Sequence, residues 1–238
     1  MAFGSVIHAV AEYVAKGEVP ADLDAMDALL DRIWHELRFE ARWQSEAERA
    51  QARAALQRFL AYHHETSQRL LGAEVYLDAT LEVPQPAAES SATEASADSV
   101  TVDRVHLRGY VDRVEEDAAG RPMAIDLKTM KNAPSAAEIR AHAQLGVYQV
   151  LMREAYGVSG GAALVQLRVP ERSGQPLPKV QAQAPLTDTT PTWVDEQLGA
   201  AAGIVRSEAF VARPGSHCRR CAFTTLCPAQ PDGQQVLR

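Results

Sequence analysis

The sequence predicts a mixed α/β fold, and three observations carry that prediction. Apolar residues recur at helical spacing through the first third of the chain, strict alternation takes over at residues 74–83, and two further strand-like runs follow around a polar turn. With 238 residues, 46% of them hydrophobic and 23% charged, the composition is that of a globular chain able to bury a sizeable core. A single domain over 1–238 is expected, with a helical part at 1–72, a sheet and helix at 73–170, and a helix with a cysteine-bearing tail at 188–238.

The elements follow in order. Phe3, Ile7, Val10 and Val14 mark a short amphipathic helix that Gly17 stops. Residues 22–37 form a second helix, and Ser45-Glu46-Ala47-Glu48 is a capping box opening a third that runs toward Leu71, with Gly72 after it. Residues 74–83 alternate as a half-buried strand does. Residues 84–99, rich in Pro, Ala, Ser and Glu, have little to bury and predict a flexible loop inserted between strands. Residues 102–114 and 123–129 are the next two strands, joined by a turn containing Gly120 and Pro122, so three strands form an antiparallel meander. Ser135-Ala136-Ala137-Glu138 is a second capping box, opening a helix to about Tyr156 that Gly157 ends. A strand at 161–169, a second mobile loop at 170–186 and a helix opened by Thr190-Pro191 complete the order before the tail.

Lys+Arg 24 against Asp+Glu 31 gives a net charge of −7, which excludes coating nucleic acid by bulk electrostatics. Any such contact must be local, and Arg104, Arg108, Arg113, Arg213, Arg219 and Arg220 are available for it. Lysines occur only at 16, 128, 131 and 179, and the abundance of Arg and Ala fits a GC-rich genome. No run approaches the roughly eighteen apolar residues of a membrane span, and the first residues lack a signal-peptide pattern, so a cytoplasmic, nucleoid-associated protein with no membrane partner is expected. No Gly-rich loop followed by Lys-Ser/Thr is present, so a motor must come from another domain or subunit. The three cysteines, Cys218, Cys221 and Cys227, are crowded near the C-terminus, which favours a metal or cluster site over disulfides.

The chemistry lies in Gly109-Tyr110-Val111-Asp112-Arg113-Val114 and Ala124-Ile125-Asp126-Leu127-Lys128-Thr129. Alternation sends Asp126 and Lys128 to one face of their strand and Ile125 and Leu127 to the other, and pairing through the turn can bring Asp112 beside Asp126. Two close carboxylates repel unless a cation sits between them, and oxygen ligands suit Mg²⁺ or Mn²⁺. A lysine one pleat away could orient an attacking water and neutralise charge on a phosphate. An isolated Asp-x-Lys on a half-exposed strand is more often solvated than catalytic.

Taken with Gly4-Ser5-Val6-Ile7-His8 and the helix containing Gln144-Leu145-Gly146-Val147-Tyr148, these segments resemble the RecB-like branch of the PD-(D/E)XK nuclease superfamily, built on a restriction-endonuclease-like αβββαβ core. The Arg- and Ala-rich composition and the stretch Trp34-His35-Glu36-Leu37 to Trp43 look most like the C-terminal nuclease domains of actinobacterial helicase-nucleases of the AdnA/AdnB type. The resemblance implies a divalent-metal-dependent DNA exonuclease, acting on single-stranded ends in double-strand-break repair with a helicase domain or subunit. It makes His8, Asp112 and Asp126 metal ligands, with the Leu127 carbonyl as a further one and Lys128 as the catalytic lysine. Gln144 and Tyr148, four apart on a helix, share a face that the family points at the active site and the DNA. Glu74 begins the first strand, where a place near the site is one reading and an exposed strand carboxylate is the default expectation.

Cys218, Cys221 and Cys227 resemble the C-terminal part of an iron–sulfur (4Fe-4S) site in the same branch, whose fourth cysteine precedes the first helix. None is present here, and an excised domain whose upstream segment carried it is the expectation. A Zn²⁺ site completed by His217 is the alternative. Two other functional readings stand beside the nuclease: a catalytically inactive DNA-binding or structural module of a helicase complex, and a small zinc-binding regulator. Retention of His8, Asp112, Asp126 and Lys128 together argues against the first, and the acidic strand pair is left without a purpose by the second.

Overall fold

The computed structural model describes residues 3–35, 37, 42–85, 101–172, 174–208 and 210–234. Helices α1 (Phe3–Ala15), α2 (Leu23–Trp34) and α3 (Arg42–Glu65) precede strands β1 (Arg69–Pro84), β2 (Val102–Glu116) and β3 (Pro122–Lys128). Then come α4 (Ala136–Arg140), α5 (Ala143–Tyr156), β4 (Ala162–Pro170), β5 (Pro178–Gln183) and α6 (Trp193–Ser207). A 3₁₀ turn at Ser216–Arg220 and a short helix α7 (Pro231–Gln234) lie in the tail. This mixed α/β architecture contains the expected αβββαβ order.

The chain divides into two compact units, one of Met1–Leu81 with Arg104–Val194 and the other of Glu82–Asp103 with Asp195–Arg238. In the second, Arg206 ion-pairs with Asp103, and Gly199 lies so close to the Pro84 carbonyl that a Cβ would stand 2.1 Å from its oxygen. In the first, a five-stranded sheet runs β1-β2-β3-β4-β5, with β2 and β3 antiparallel, β3 and β4 parallel, and β4 and β5 antiparallel. Contacts Tyr76–Tyr110 and Asp78–His106 advance along β1 as they retreat along β2, so that pair is antiparallel too.

Alternation along β3 splits the core into two layers. Met123, Ile125 and Leu127 pack with Ala163, Val165 and Leu167 of β4 against buried residues of α1–α3, such as Ile7, Leu30 and Phe59. Ala124, Ala162 and Leu164 face Ile139, Leu145, Leu151 and Met152 of α4 and α5. Each fully buried aliphatic side chain contributes about 1.5–3 kcal/mol, so burial on both faces fixes the register of β3 and β4.

Several expectations are corrected. Residues 170–186 are not one loop: β5 lies inside them, paired to β4 with Leu164 opposite Gln181. The third helix ends at Glu65, and Ser45 lies within it, where its Oγ accepts from Trp34 Nε1 at 3.0 Å. β1 therefore starts at Arg69, where helix had been expected. The helix opened by Ser135 is two helices, because the Gln183 amide donates to the Ile139 carbonyl at 2.8 Å and captures a group that a continuous helix would bond internally. The capping box itself forms, with Ser135 and Glu138 bonding reciprocally at 3.3 and 2.7 Å. Gly157 closes α5 at φ 77°, the left-handed conformation that glycine adopts without strain. Helix α6 begins at Trp193, two residues beyond Pro191. Within the loop expected at 84–99, residues 86–99 lie outside the described residues, as does Glu36.

Candidate active site

The site forms where β2 leaves β3. Their pairing runs from Glu116 opposite Pro122 to Arg113 opposite Ile125, which sets Asp112 next in line opposite Asp126. There the ladder gives way to a side chain, and Asp112 Oδ2 accepts from the Leu127 N–H at 2.6 Å. Its other oxygen, Oδ1, lies 3.2 Å from His8 Nδ1 of α1.

His8 reaches this fork because α1 lies tight against the end of β3. Val6, Ile7, Val10, Ala11 and Val14 bury the inner face of the helix, and a Cβ on Gly4 would stand 2.8 Å from Thr129 Oγ1. A larger residue at position 4 would displace either the Thr129 hydroxyl or the first turn of the helix. The hydrogen bond to Asp112, against a counteracting burial, raises the pKa of His8 above its usual value.

Glu74 completes the group, and here the default expectation of an exposed carboxylate gives way to the other reading, a place near the site. It is half-buried and adopts φ 50°, a left-handed conformation rare for a residue with a side chain. The alternation of exposure in β1 breaks over residues 72–75, so Glu74 joins His8 and Asp112 instead of pointing to solvent. Burial, and then the neighbouring Asp112 charge, push its carboxyl pKa up. The only signal in the sequence was its place at the start of the strand after Gly72.

His8, Glu74 and Asp112 each offer one ligand atom, and these atoms all lie within 4.8 Å of one another. An octahedral ion with bonds of about 2.0–2.1 Å sets its ligand atoms about 3–4 Å apart, so small side-chain shifts fit the group to Mg²⁺, or to Mn²⁺, which accepts imidazole more readily.

Asp126 stands beside this group and is held from the other side. Lys128 Nζ is 2.6 Å from Asp126 Oδ2, so that buried oxygen is paired directly with the ammonium. Burial raises the pKa of the Asp126 carboxyl, and the contact with Lys128 offsets the shift in part. Leu127 contributes its N–H to Asp112, while its side chain is buried in the helical layer.

Helix α5 brings Gln144 and Tyr148 onto the same carboxylate. Gln144 Oε1 accepts from Lys128 Nζ at 2.9 Å, and its Nε2 donates to Asp126 Oδ1 at 3.0 Å and to the Tyr148 hydroxyl at 2.9 Å. The Tyr148 hydroxyl then donates to the Tyr110 carbonyl at 3.0 Å, and burial raises its pKa to about 12, keeping it a donor. Every polar atom of Gln144 is thereby used, which fixes the direction of the lysine. His142 caps α5 by accepting from Leu145 N–H at 3.4 Å.

The cysteines lie in the second unit. Gly215 N–H points at Cys218 Sγ at 3.3 Å, Cys221 is exposed, and among the described residues the three sulfurs are not gathered to the spacing of one metal group. Among the described residues, no helix is long and apolar enough to cross a membrane.

Among curated proteins none matches the sequence. Among solved structures the chain is similar to the crystal structure of SSO0001, at 13% identity and a TM-score of 0.42, over 97% of this chain and 86% of that one. The family model of the PD-(D/E)XK nuclease superfamily matches residues 1–228. That span contains every residue of the fork, all of α5 and the three cysteines, and the chain belongs to the PD-(D/E)XK nuclease superfamily.

Proposed function

We propose that this chain is a divalent-metal-dependent DNA exonuclease that hydrolyses phosphodiester bonds at single-stranded ends, in double-strand-break processing with a helicase domain or subunit of the AdnA/AdnB type. Superfamily membership suggests a metal-dependent nuclease. The observation that carries the reading is the convergence of His8, Glu74 and Asp112 beside the Asp126–Lys128 pair at the fork of β2 and β3.

In this reading His8, Asp112, Asp126 and the Leu127 carbonyl hold the ion, with Glu74 as an added ligand. When bound, Mg²⁺ or Mn²⁺ supplies Lewis-acid stabilisation of the phosphate and a more acidic water. Lys128, held by Gln144, neutralises charge gathering on a phosphoryl oxygen and orients the attacking water. Asp126 keeps the ammonium at the fork, and Tyr148 ties α5 to β2 at Tyr110, so substrate meets a preorganised set of groups. The cysteine tail is a separate proposal, resting on spacing alone: an iron–sulfur or zinc site that draws a ligand from beyond these three thiols.

The test is incubation with labelled single-stranded and duplex DNA in Mg²⁺, Mn²⁺ or EDTA. Cleavage is expected with the metals and not with EDTA. Asp126→Ala is expected to lose ion binding and cleavage, and Lys128→Ala to bind both ion and DNA without turnover. A Lys128→Ala protein that cleaves at the normal rate refutes the assigned role, and DNA binding without cleavage in any metal points to the inactive module.

A further inference from the structure

We infer that the exposed face of the β1–β2 arm is a track for single-stranded nucleic acid, in which Tyr76 and Tyr110 stack on bases and Arg108 meets a phosphate. The direction of the track rests on the nuclease reading, whereas its binding does not.

From Tyr76 onward in β1, and from Val102 to Tyr110 in β2, every second residue faces solvent. Leu77 and Val111 turn into the core, and Tyr76 and Tyr110 are left 49% and 59% exposed. A single exposed aromatic is ordinary. Here two sit together, ring centroids 5.1 Å apart and planes inclined by 52°. The Tyr76 hydroxyl donates to Asp78 Oδ2 at 2.8 Å, which anchors the ring. Asp78 also meets His106 Nε2 at 2.9 Å, and these two contacts hold its carboxyl below the usual range, so the one acid beside the tyrosines is already engaged.

Arg108 lies close enough for its charge to act on both Tyr76 and Asp78, and among the described residues it makes no ion pair. A cation with aromatic faces is the composition that holds single strands: stacking takes any base, and the positive charge follows the backbone. A duplex hides its base faces and cannot stack in this way.

Position ties the track to the fork from both strands. Tyr110 is two residues from Asp112, about 7 Å along extended chain, and Tyr76 follows Glu74 by two residues across its left-handed backbone. The Tyr110 carbonyl also receives the Tyr148 hydroxyl, which belongs to the network on Asp126. A strand lying over the tyrosine pair would reach the two carboxylates at its next phosphates.

The experiment is fluorescence anisotropy of the full chain with a fluorescein-labelled oligothymidylate, and with its duplex, in EDTA. Single strands are expected to bind more tightly than duplex. Tyr76→Ala and Tyr110→Ala are each expected to weaken binding about tenfold, whereas Tyr76→Phe and Tyr110→Phe retain it because the ring remains. Arg108→Ala is expected to weaken binding and flatten its salt dependence. Failure of the wild-type chain to bind, equal binding of duplex, or alanine variants that bind as the wild type does overturns the track. Hydrolysis of the same oligonucleotide in Mn²⁺ by wild type and by Asp126→Ala is scored separately. Tyrosine-dependent binding without hydrolysis sinks only the nuclease reading, and hydrolysis with tyrosine-independent binding sinks only the track.

Discussion

Replacing Arg113 by Met should expose how much the protein depends on a buried charge directly beside Asp112. Arg113 and Glu115 are 2% and 0% exposed, with Nε and Oε1 2.7 Å apart. The guanidinium lies 5.7 Å from the Phe59 ring centre and 5.8 Å from that of Tyr62. It also stands 3.3 Å from His63 Nδ1, and burial followed by this positive charge lowers the pKa of His63, so a neutral imidazole accepts there. With Met at 113, Glu115 keeps one directed donor, the Tyr62 hydroxyl at 2.7 Å. Breaking a buried pair from one side costs about 3–5 kcal/mol because the surviving charge has nowhere to go. For a chain of this size that corresponds to a loss of about 6–20 °C in melting temperature. The triple variant Arg113→Met, Glu115→Leu, Tyr62→Phe removes the buried charge pair and its hydroxyl donor together, leaving only the part-buried His63 without its Arg113 contact, and is expected within about 2 kcal/mol of wild type. Urea and thermal denaturation followed by circular dichroism measure both. A single variant that costs less than about 1 kcal/mol, or a triple variant no better than the single, would falsify the claim that the unpaired charge sets the cost.

Two further outcomes concern Asp126 and the break between α4 and α5. The raised pKa of Asp126 means that its contribution to stability is fully present below the ordinary value of 3.8 and is lost as pH rises through the raised one. Asp126→Asn should therefore melt higher than wild type at pH 7 in EDTA, with the gain shrinking toward pH 4, and should cleave no DNA; a lower melting point at pH 7 contradicts the argument. Gln183→Ala strips the Ile139 carbonyl and Gln149 Nε2 of a partner, at 2.8 and 2.9 Å, so it should cost about 1–3 kcal/mol. It should also weaken protection of amide hydrogens at the start of α5, and unchanged exchange there would show that Gln183 does not hold the break.

What the sequence determined alone was local and periodic. The spacing of Phe3, Ile7, Val10 and Val14 specifies a one-sided helix, the Ser135–Glu138 box specifies its own reciprocal bonds, and Gly157 provides a left-handed stop. The short turn 117–121 forces β2 and β3 to run antiparallel, and counting back from it aligns Asp112 with Asp126. Period two then sends Asp126 and Lys128 away from Ile125 and Leu127. Each of these results depends on contacts within a few residues, or on one tight turn, so the order of residue types is enough.

The tertiary structure decided what depends on distant partners. Residues 178–183 have no strong strand pattern, yet they form β5 because β4 offers an edge whose backbone groups need pairing. The helix expected through residue 142 breaks because Gln183, more than forty residues away, takes the Ile139 carbonyl. Glu74 looks like an ordinary strand carboxylate until α1 brings His8, and β2 brings Asp112, to within a metal's reach of it. Local propensity cannot encode these choices: each exchanges a weak local preference for the satisfaction of a buried polar group or charge, and the group that needs satisfying is set by how the chain packs.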